Sequence, residues 1–193
     1  MMKTVGILLA GGESRRFGSP KAFAEKNGTY YYSYVFNAMT PFCDEIVIST
    51  RPELIRRFKQ HEVKITDASP FQGHGPLAGI YTVMEAYQAE RYIVLPCDMP
   101  YMSAEAVEQL LIHASPNVTV SAVQLKDTQL PLVSVWNYQM KELLLRQLEQ
   151  GNLRVMSLFD QVQVNWIPGQ KISRDEATFS NINHPADIER GQP

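Results

Sequence analysis

Cysteine is scarce in this chain, with two in 193 residues, and Cys43 and Cys97 form neither a metal-ligand spacing nor a disulfide framework. Both adjoin apolar strand-like segments, so buried, reduced thiols are expected. An excess of charge of one sign is also missing: 18 basic and 20 acidic side chains give a formal net charge of -2. That balance offers no electrostatic basis for broad nucleic-acid binding, which needs a clustered basic face. No apolar run approaches the roughly 18 residues of a membrane span. Met1-Met2-Lys3-Thr4 leads directly into an apolar strand without a signal-peptide stretch or cleavage site, so a cytoplasmic location is expected. Internal repeats, low-complexity tracts and linkers are absent. So are the G-x-x-x-x-G-K-[ST] of a P-loop and the G-x-G-x-x-G of a dinucleotide fold. No Ser-His-Asp or Cys-His constellation is recognisable, which leaves covalent catalysis without a protein nucleophile.

What is present is ordinary globular composition, 45% hydrophobic and 20% charged, and enough chain to bury a continuous core. Residues 1–193 are expected to form one domain. The run at 4–9 is apolar without polar alternation, as in a strand buried on both faces. Further strands are predicted at 45–50, 63–66, 92–95, 118–123, 130–136 and 162–167. Helices are predicted at 31–39, around 52–59, from Pro76 to about Gln88, after the cap Ser103, at 138–149, 153–160 and 185–190. Tyr30-Tyr31-Tyr32 reads as a helix start packed on the sheet. This β-α-β-α order predicts an α/β fold: a Rossmann-like three-layer sandwich, a mostly parallel sheet with helices on both faces. Ligands in such folds bind beyond the carboxyl ends of the strands.

The stretch Leu8-Leu9-Ala10-Gly11-Gly12-Glu13-Ser14-Arg15-Arg16-Phe17-Gly18-Ser19-Pro20-Lys21 follows the first strand directly. Glycine permits positive φ and a close backbone approach, so such a loop can aim N–H groups at anionic oxygens. Arg16 brings a planar fork and Lys21 a mobile point charge to the place where a triphosphate would lie. A surface turn with solvated basic side chains is the alternative. Asp98, in Leu95-Pro96-Cys97-Asp98-Met99-Pro100, follows another buried strand. Read alone, it fits a turn aspartate or a helix cap equally well. Beside the glycine loop it is placed to hold Mg²⁺, which takes one or two carboxylates plus substrate phosphates.

The glycine stretch resembles the L-A-G-G-x-S-x-R-x-G-x-x-K signature of the nucleotidyltransferases, most closely of the molybdenum cofactor guanylyltransferases. Phe17 stands where methionine is common, a change of packing between two large apolar side chains. Cys97-Asp98-Met99-Pro100, Gly75-Pro76-Leu77-Ala78-Gly79, Leu153-Arg154-Val155-Met156 and Asn181-Ile182-Asn183-His184-Pro185 are similar to further segments of that family. The resemblance runs from about Leu8 to Asp187 and is sparse between Tyr101 and Gly151. It implies GTP contacts from Leu9, Ala10, Gly11, Gly12, Lys21, Asp67 and Asp98, with Mg²⁺ at Asp98. Lys21, Arg16 and Asp98 would be the catalytic groups. Asp67 or a loop carbonyl could accept from guanine N1–H and N2–H₂, an Asx turn being the alternative. Ser49 stands where relatives carry an amide, and its shorter hydroxyl is a candidate partner for the nucleotide. His74 lies in the nucleotide-side loop, within reach of phosphate. Arg154, Asn181 and Asn183 are candidates for the pterin, against a solvated helix face for Arg154 and a helix cap for Asn183.

The activity so implied is transfer of GMP from GTP to the terminal phosphate of molybdenum-loaded molybdopterin, with pyrophosphate released. The partners would be GTP, Mo-molybdopterin and the molybdoenzymes or chaperones that receive the product, with no nucleic acid or membrane. Two rivals stay open. One is another nucleotidyltransferase, acting with CTP or on a sugar or alcohol phosphate. The other is a non-catalytic protein that binds the nucleotide or delivers the cofactor.

Overall fold

The computed structural model describes residues 2–12 and 18–182. In chain order the strands are β1 (Thr4–Leu9), β2 (Glu25–Lys26), β3 (Thr29–Tyr30), β4 (Glu45–Ser49), β5 (Val63–Ile65), β6 (Arg91–Pro96), β7 (Val120–Gln124), β8 (Gln129–Asn137) and β9 (Val164–Pro168). The helices are α1 (Tyr31–Met39), α2 (Pro76–Ala86), α3 (Ala104–His113), α4 (Met140–Glu149), α5 (Val155–Phe159) and α6 (Gly169–Ile172). Seven strands form one sheet in the order β5-β4-β1-β6-β8-β7-β9. Pairing is parallel from β5 through β6 and again between β7 and β9, and β8 alone runs antiparallel to its neighbours.

β1 shows why the sheet is central. Val5 and Ile7 join the core beneath α2, α4 and α5, while Leu8 joins the core beneath α1, α3 and α6. A strand that buries both faces needs apolar residues at successive positions, and the hexapeptide supplies them. Gly6 is the exception for a steric reason. A Cβ there would stand 2.7 Å from Met39 Cε and 3.0 Å from Cys43 Sγ, so the end of α1 packs on bare backbone. On the other face Trp136 is fully buried and donates its indole N–H to Ser134 Oγ at 2.6 Å. The three-layer α/β architecture expected from the sequence is the one observed.

Several local expectations shift. The helix expected around 52–59 is a 3-10 helix, Pro52–Arg57, with Leu54 its one buried residue. So thin an apolar contact gives a full α-helix little to pack with. The helices expected at 138–149 and 153–160 start two residues later, at Met140 and Val155. Asn27 and Gly28 both take positive φ, 51° and 73°, closing a two-residue hairpin between β2 and β3. Asn-Gly is the favoured pair for such a turn. α6 begins at Gly169, where a Cβ would meet Leu125 Cδ2 at 2.6 Å. Ser103 caps α3 as expected, accepting from the Ala106 N–H at 3.1 Å. The helix expected at 185–190 lies outside the described residues.

Candidate functional site

The carboxyl ends of β5, β4, β1 and β6 lie side by side and are tied together by main-chain bonds. Ala10 N–H donates to the Ser49 carbonyl at 2.8 Å, Cys97 N–H to the Leu9 carbonyl at 3.0 Å, and Thr50 N–H to the Ile65 carbonyl at 2.9 Å. Thr50 Oγ1 also donates to the Ala10 carbonyl at 3.3 Å. Above this edge opens a cleft of about 600 Å³. Its wall includes all seven residues expected at the nucleotide: Leu9, Ala10, Gly11, Gly12, Lys21, Asp67 and Asp98. Residues as far apart in the chain as Leu9 and Asp98 meet here because parallel strands deliver their carboxyl ends to one edge.

At one end of the cleft Lys21 Nζ donates to Asp98 Oδ2 at 2.8 Å, and the two side chains are 15% and 18% exposed. Lys21 opens a 3-10 turn, Lys21–Phe23, whose Phe23 is buried among Tyr30, Tyr32 and Phe58. The aromatic cluster thus anchors the backbone from which the lysine reaches. Tyr31 and Tyr32 are core residues, as expected of the tyrosine run. Asp98 leaves the end of β6, and its carbonyl accepts from Ile182 N–H at 3.1 Å. That bond draws Asn181, an exposed residue, alongside the Asp98 segment. Cys97 is buried beside it, and desolvation, aided by the charge of Asp98, pushes its thiol pKa well up. Cys43 is only partly buried, and burial pushes its thiol up to about 12.

At the other end Asp67 Oδ2 accepts from Gly73 N–H at 3.0 Å and so closes the 67–73 loop. The carboxyl is half-buried. Desolvation raises its pKa, against the lowering effects of the Gly73 bond and of His74. Ala68 N–H donates to Thr82 Oγ1 at 2.8 Å, which fastens the loop to α2. Gly75 caps α2 at φ 73° and ψ −159°, a region that essentially only glycine enters, and Pro76 follows at the first helical turn. The Asp67 bond reaches six residues on rather than the two of an Asx turn, and its side chain lies on the cleft wall.

Other expectations take a different form. Positive φ in the glycine loop falls at Gly18, at 76°, and not at Gly11 or Gly12. At Gly12 an added Cβ would meet no heavy atom of the described residues within 4 Å. Ser49 is buried, and a Cβ at Gly79 would run into its hydroxyl. The serine thus fills the gap where α2 crosses β4, with Gly79 the residue that lets it, and it lines the cleft as well. His74 lines a second hollow with Phe71, Tyr81 and Glu85, while Gly73 and Gly75 on either side of it line the cleft. Arg154 is exposed at the start of α5 and does not line the cleft. Arg16 and Asn183 lie outside the described residues. The sequence reading passed over Arg51, Glu53 and Gln72, which also line the cleft. Arg51 and Glu53 stand just past a buried strand, where the carboxyl-end rule points.

Among the described residues no helix is long and apolar enough to cross a membrane. None holds a cluster of three or more His, Cys, Asp or Glu that could cage a metal.

The model of the MobA-like NTP transferase domain matches residues 6–164. A probable molybdenum cofactor guanylyltransferase of Geobacillus sp. (strain WCH70) is 38% identical over 191 residues, covering 98% of both chains. One of Bacillus subtilis (strain 168) is 37% identical over 188 residues, covering 94% of this chain and 91% of its own. Among solved structures, the molybdopterin-guanine dinucleotide biosynthesis protein A of Archaeoglobus fulgidus superposes with a TM-score of 0.82 at 23% identity, over 97% of this chain and 96% of the other. That last likeness speaks for the fold, while the matched model and the full-length relatives speak for the family. With its glycine loop, Lys21 and Asp98 gathered on one cleft wall, the chain belongs to the MobA-like NTP transferase family.

Proposed function

We propose that this nucleotidyltransferase moves GMP from GTP onto the terminal phosphate of molybdenum-loaded molybdopterin and releases pyrophosphate. The observation that carries the reading is the cleft itself. Its Lys21 and Asp98 end suits a metal-bound triphosphate, and its Asp67 to Gly75 wall suits a base. Full-length relatives at 34–38% identity bear the guanylyltransferase name.

Four strand ends set the scale. Asp98 follows β6 and Asp67 follows β5, three strand spacings away in the sheet order, or about 14 Å. A nucleoside triphosphate laid along the edge spans such a distance from its phosphates to its base.

An oxygen of the acceptor phosphate attacks the α-phosphorus of GTP. A new P–O bond forms as the bond from the α-phosphorus to the bridging oxygen of the β-phosphate breaks, and the electron pair leaves with pyrophosphate. The attacking oxygen is already ionised near neutral pH, so no general base is required. Lys21 stabilises charge on the phosphates, the backbone of Gly11 and Gly12 borders the same space, and the walls hold the reactants in line. The single carboxylate of Asp98 fits Mg²⁺, an ion that keeps waters and binds partly through substrate phosphates. When bound, it would neutralise charge at the α-phosphate. Asn181 and Arg154 are the described residues proposed for the pterin.

Calorimetric titration with Mg²⁺ and each of GTP, CTP and UTP tests the nucleotide. Preference for GTP supports the proposal, and preference for CTP contradicts it.

A further inference from the structure

Between the glycine loop and the Asp67 wall the cleft carries a second charged pair, Arg51 and Glu53, with its own chemistry. Arg51 stands two residues past the end of β4, and its Cγ lies close to Gly11, 3.8 Å from the position a Cβ would take there. Its Nη1 sits 3.1 Å from Glu53 Oε1. Its Nε is buried and has no hydrogen-bond partner among the described residues. Both side chains line the nucleotide cleft, and the Lys21–Asp98 pair lies two strands away at the end of β6. A guanidinium donor and a carboxylate acceptor thus stand side by side past the end of β4, next to the β5 end whose Asp67 to Gly75 wall is assigned to the base. The 3-10 turn that Pro52 opens sets their spacing.

We infer that Arg51 and Glu53 read the Watson–Crick edge of guanine and so set nucleotide specificity. Guanine offers an acceptor at O6 beside donors at N1–H and N2–H₂. An arginine N–H can donate to O6, while the carboxylate accepts from N1–H and N2–H₂. Adenine presents a donor followed by an acceptor, and cytosine a donor followed by two acceptors. Either base would set donor against donor and acceptor against carboxylate, leaving desolvated groups unpaired. The buried Arg51 Nε gives the guanidinium a reason to take a ligand acceptor. Asp67 is less suited to the task, since one of its oxygens already holds Gly73 N–H. The inference rests on GTP as the donor, and it adds the residues that select it.

Calorimetric titration of the full chain with Mg²⁺ and each of GTP, ITP and CTP tests it in the wild type, Glu53→Ala, Glu53→Gln and Arg51→Met. ITP lacks only the 2-amino group. The wild type is expected to bind GTP roughly tenfold more tightly than ITP, the scale of one hydrogen bond to a charged group. Glu53→Ala is expected to bring that ratio to near one, with binding of inorganic pyrophosphate retained at the Lys21 end. Arg51→Met is expected to weaken GTP and ITP alike by about tenfold. If Glu53→Ala also loses pyrophosphate binding, the same-sized Glu53→Gln decides by the same ratio. A GTP over ITP preference that survives both Glu53 variants overturns the assignment and leaves guanylyl transfer standing. A wild type that prefers CTP to GTP overturns both.

Discussion

Lys21 Nζ stands 2.8 Å from Asp98 Oδ2, so without ligand the lysine occupies the charge of the carboxylate proposed for Mg²⁺. A triphosphate entering the cleft offers Lys21 competing anionic oxygens and frees Asp98 for the ion. Metal and nucleotide are therefore expected to bind together, with the metal alone binding weakly. In Lys21→Met, Mn²⁺ binding without nucleotide, followed by paramagnetic resonance, is expected to tighten roughly twofold to fivefold, the scale of a partly exposed ion pair. Binding of GTP with Mg²⁺ is expected to weaken in the same variant. Weaker binding of the bare metal ion in Lys21→Met would contradict this coupling.

Ser49 and Gly79 form a steric pair where α2 crosses β4. Gly79→Ala is expected to destabilise the fold by about 1–3 kcal/mol through overpacking. Ser49→Ala, which removes the colliding hydroxyl, is expected to recover part of that loss. Urea unfolding of the four members of the double-mutant cycle measures the coupling. Additive losses would show that the two residues do not collide.

Gly75→Ala places a Cβ on backbone at φ 73° and ψ −159°. The expected cost is about 1–3 kcal/mol. Because Gly75 ends the loop that walls the cleft, GTP affinity is expected to fall as well. Unchanged unfolding midpoint and unchanged affinity would rule out the conformational requirement.

The pKa of Asp67 is raised above the ordinary value of a free aspartate, chiefly by desolvation. Its folded pKa lies above its unfolded pKa, so the folded state holds the proton more tightly. The stability tied to that proton is complete below the unfolded pKa and disappears as pH rises through the folded value. Asp67→Asn keeps an oxygen to accept from Gly73 N–H and has no charge to desolvate. The variant is therefore expected to gain stability relative to the wild type as pH climbs upward from about 3.8. Urea midpoints of both proteins across the acid range test the sign, and a relative loss with rising pH would reverse it.

Cys97 is buried, and the Cys43 thiol is pushed up to about 12. Neither is expected to react quickly with a disulfide reagent at pH 8, since the thiolate is the reactive form. Both are expected to react at once in denaturant. Rapid modification of the native protein would show that these sites open.

The sheet was legible because its strands are unbroken apolar runs that bury two faces, as in Thr4–Leu9 and Arg91–Pro96. The cleft was legible because Gly11, Asp67 and Asp98 fall just past strand ends, where parallel topology gathers them, and Lys21 closes the glycine stretch that follows the first strand. The Asn27-Gly28 hairpin was also written in the sequence as a turn pair and was passed over. Ser49 was legible only in part: a hydroxyl at a strand end looks the same whether it meets a ligand or a neighbouring glycine, and here it both lines the cleft and packs against Gly79. Arg51 and Glu53 escaped because charged residues after a strand resemble an ordinary solvated turn until the opposite wall is known. Arg154 and Asn181 sit in short irregular segments whose placement depends on tertiary contacts, such as the Ile182 N–H bond to the Asp98 carbonyl.

The central claim is nucleotidyl transfer at the Lys21 and Asp98 end of the cleft. The most direct test incubates the wild type, Lys21→Ala and Asp98→Ala with GTP, Mg²⁺ and molybdenum-loaded molybdopterin, following pyrophosphate and the dinucleotide product. The expected result is one pyrophosphate per dinucleotide in the wild type and turnover lowered about 10²- to 10³-fold in each variant, with unfolding midpoints close to wild type. Near-normal turnover in either folded variant, or GTP binding without pyrophosphate release by the wild type, would contradict it.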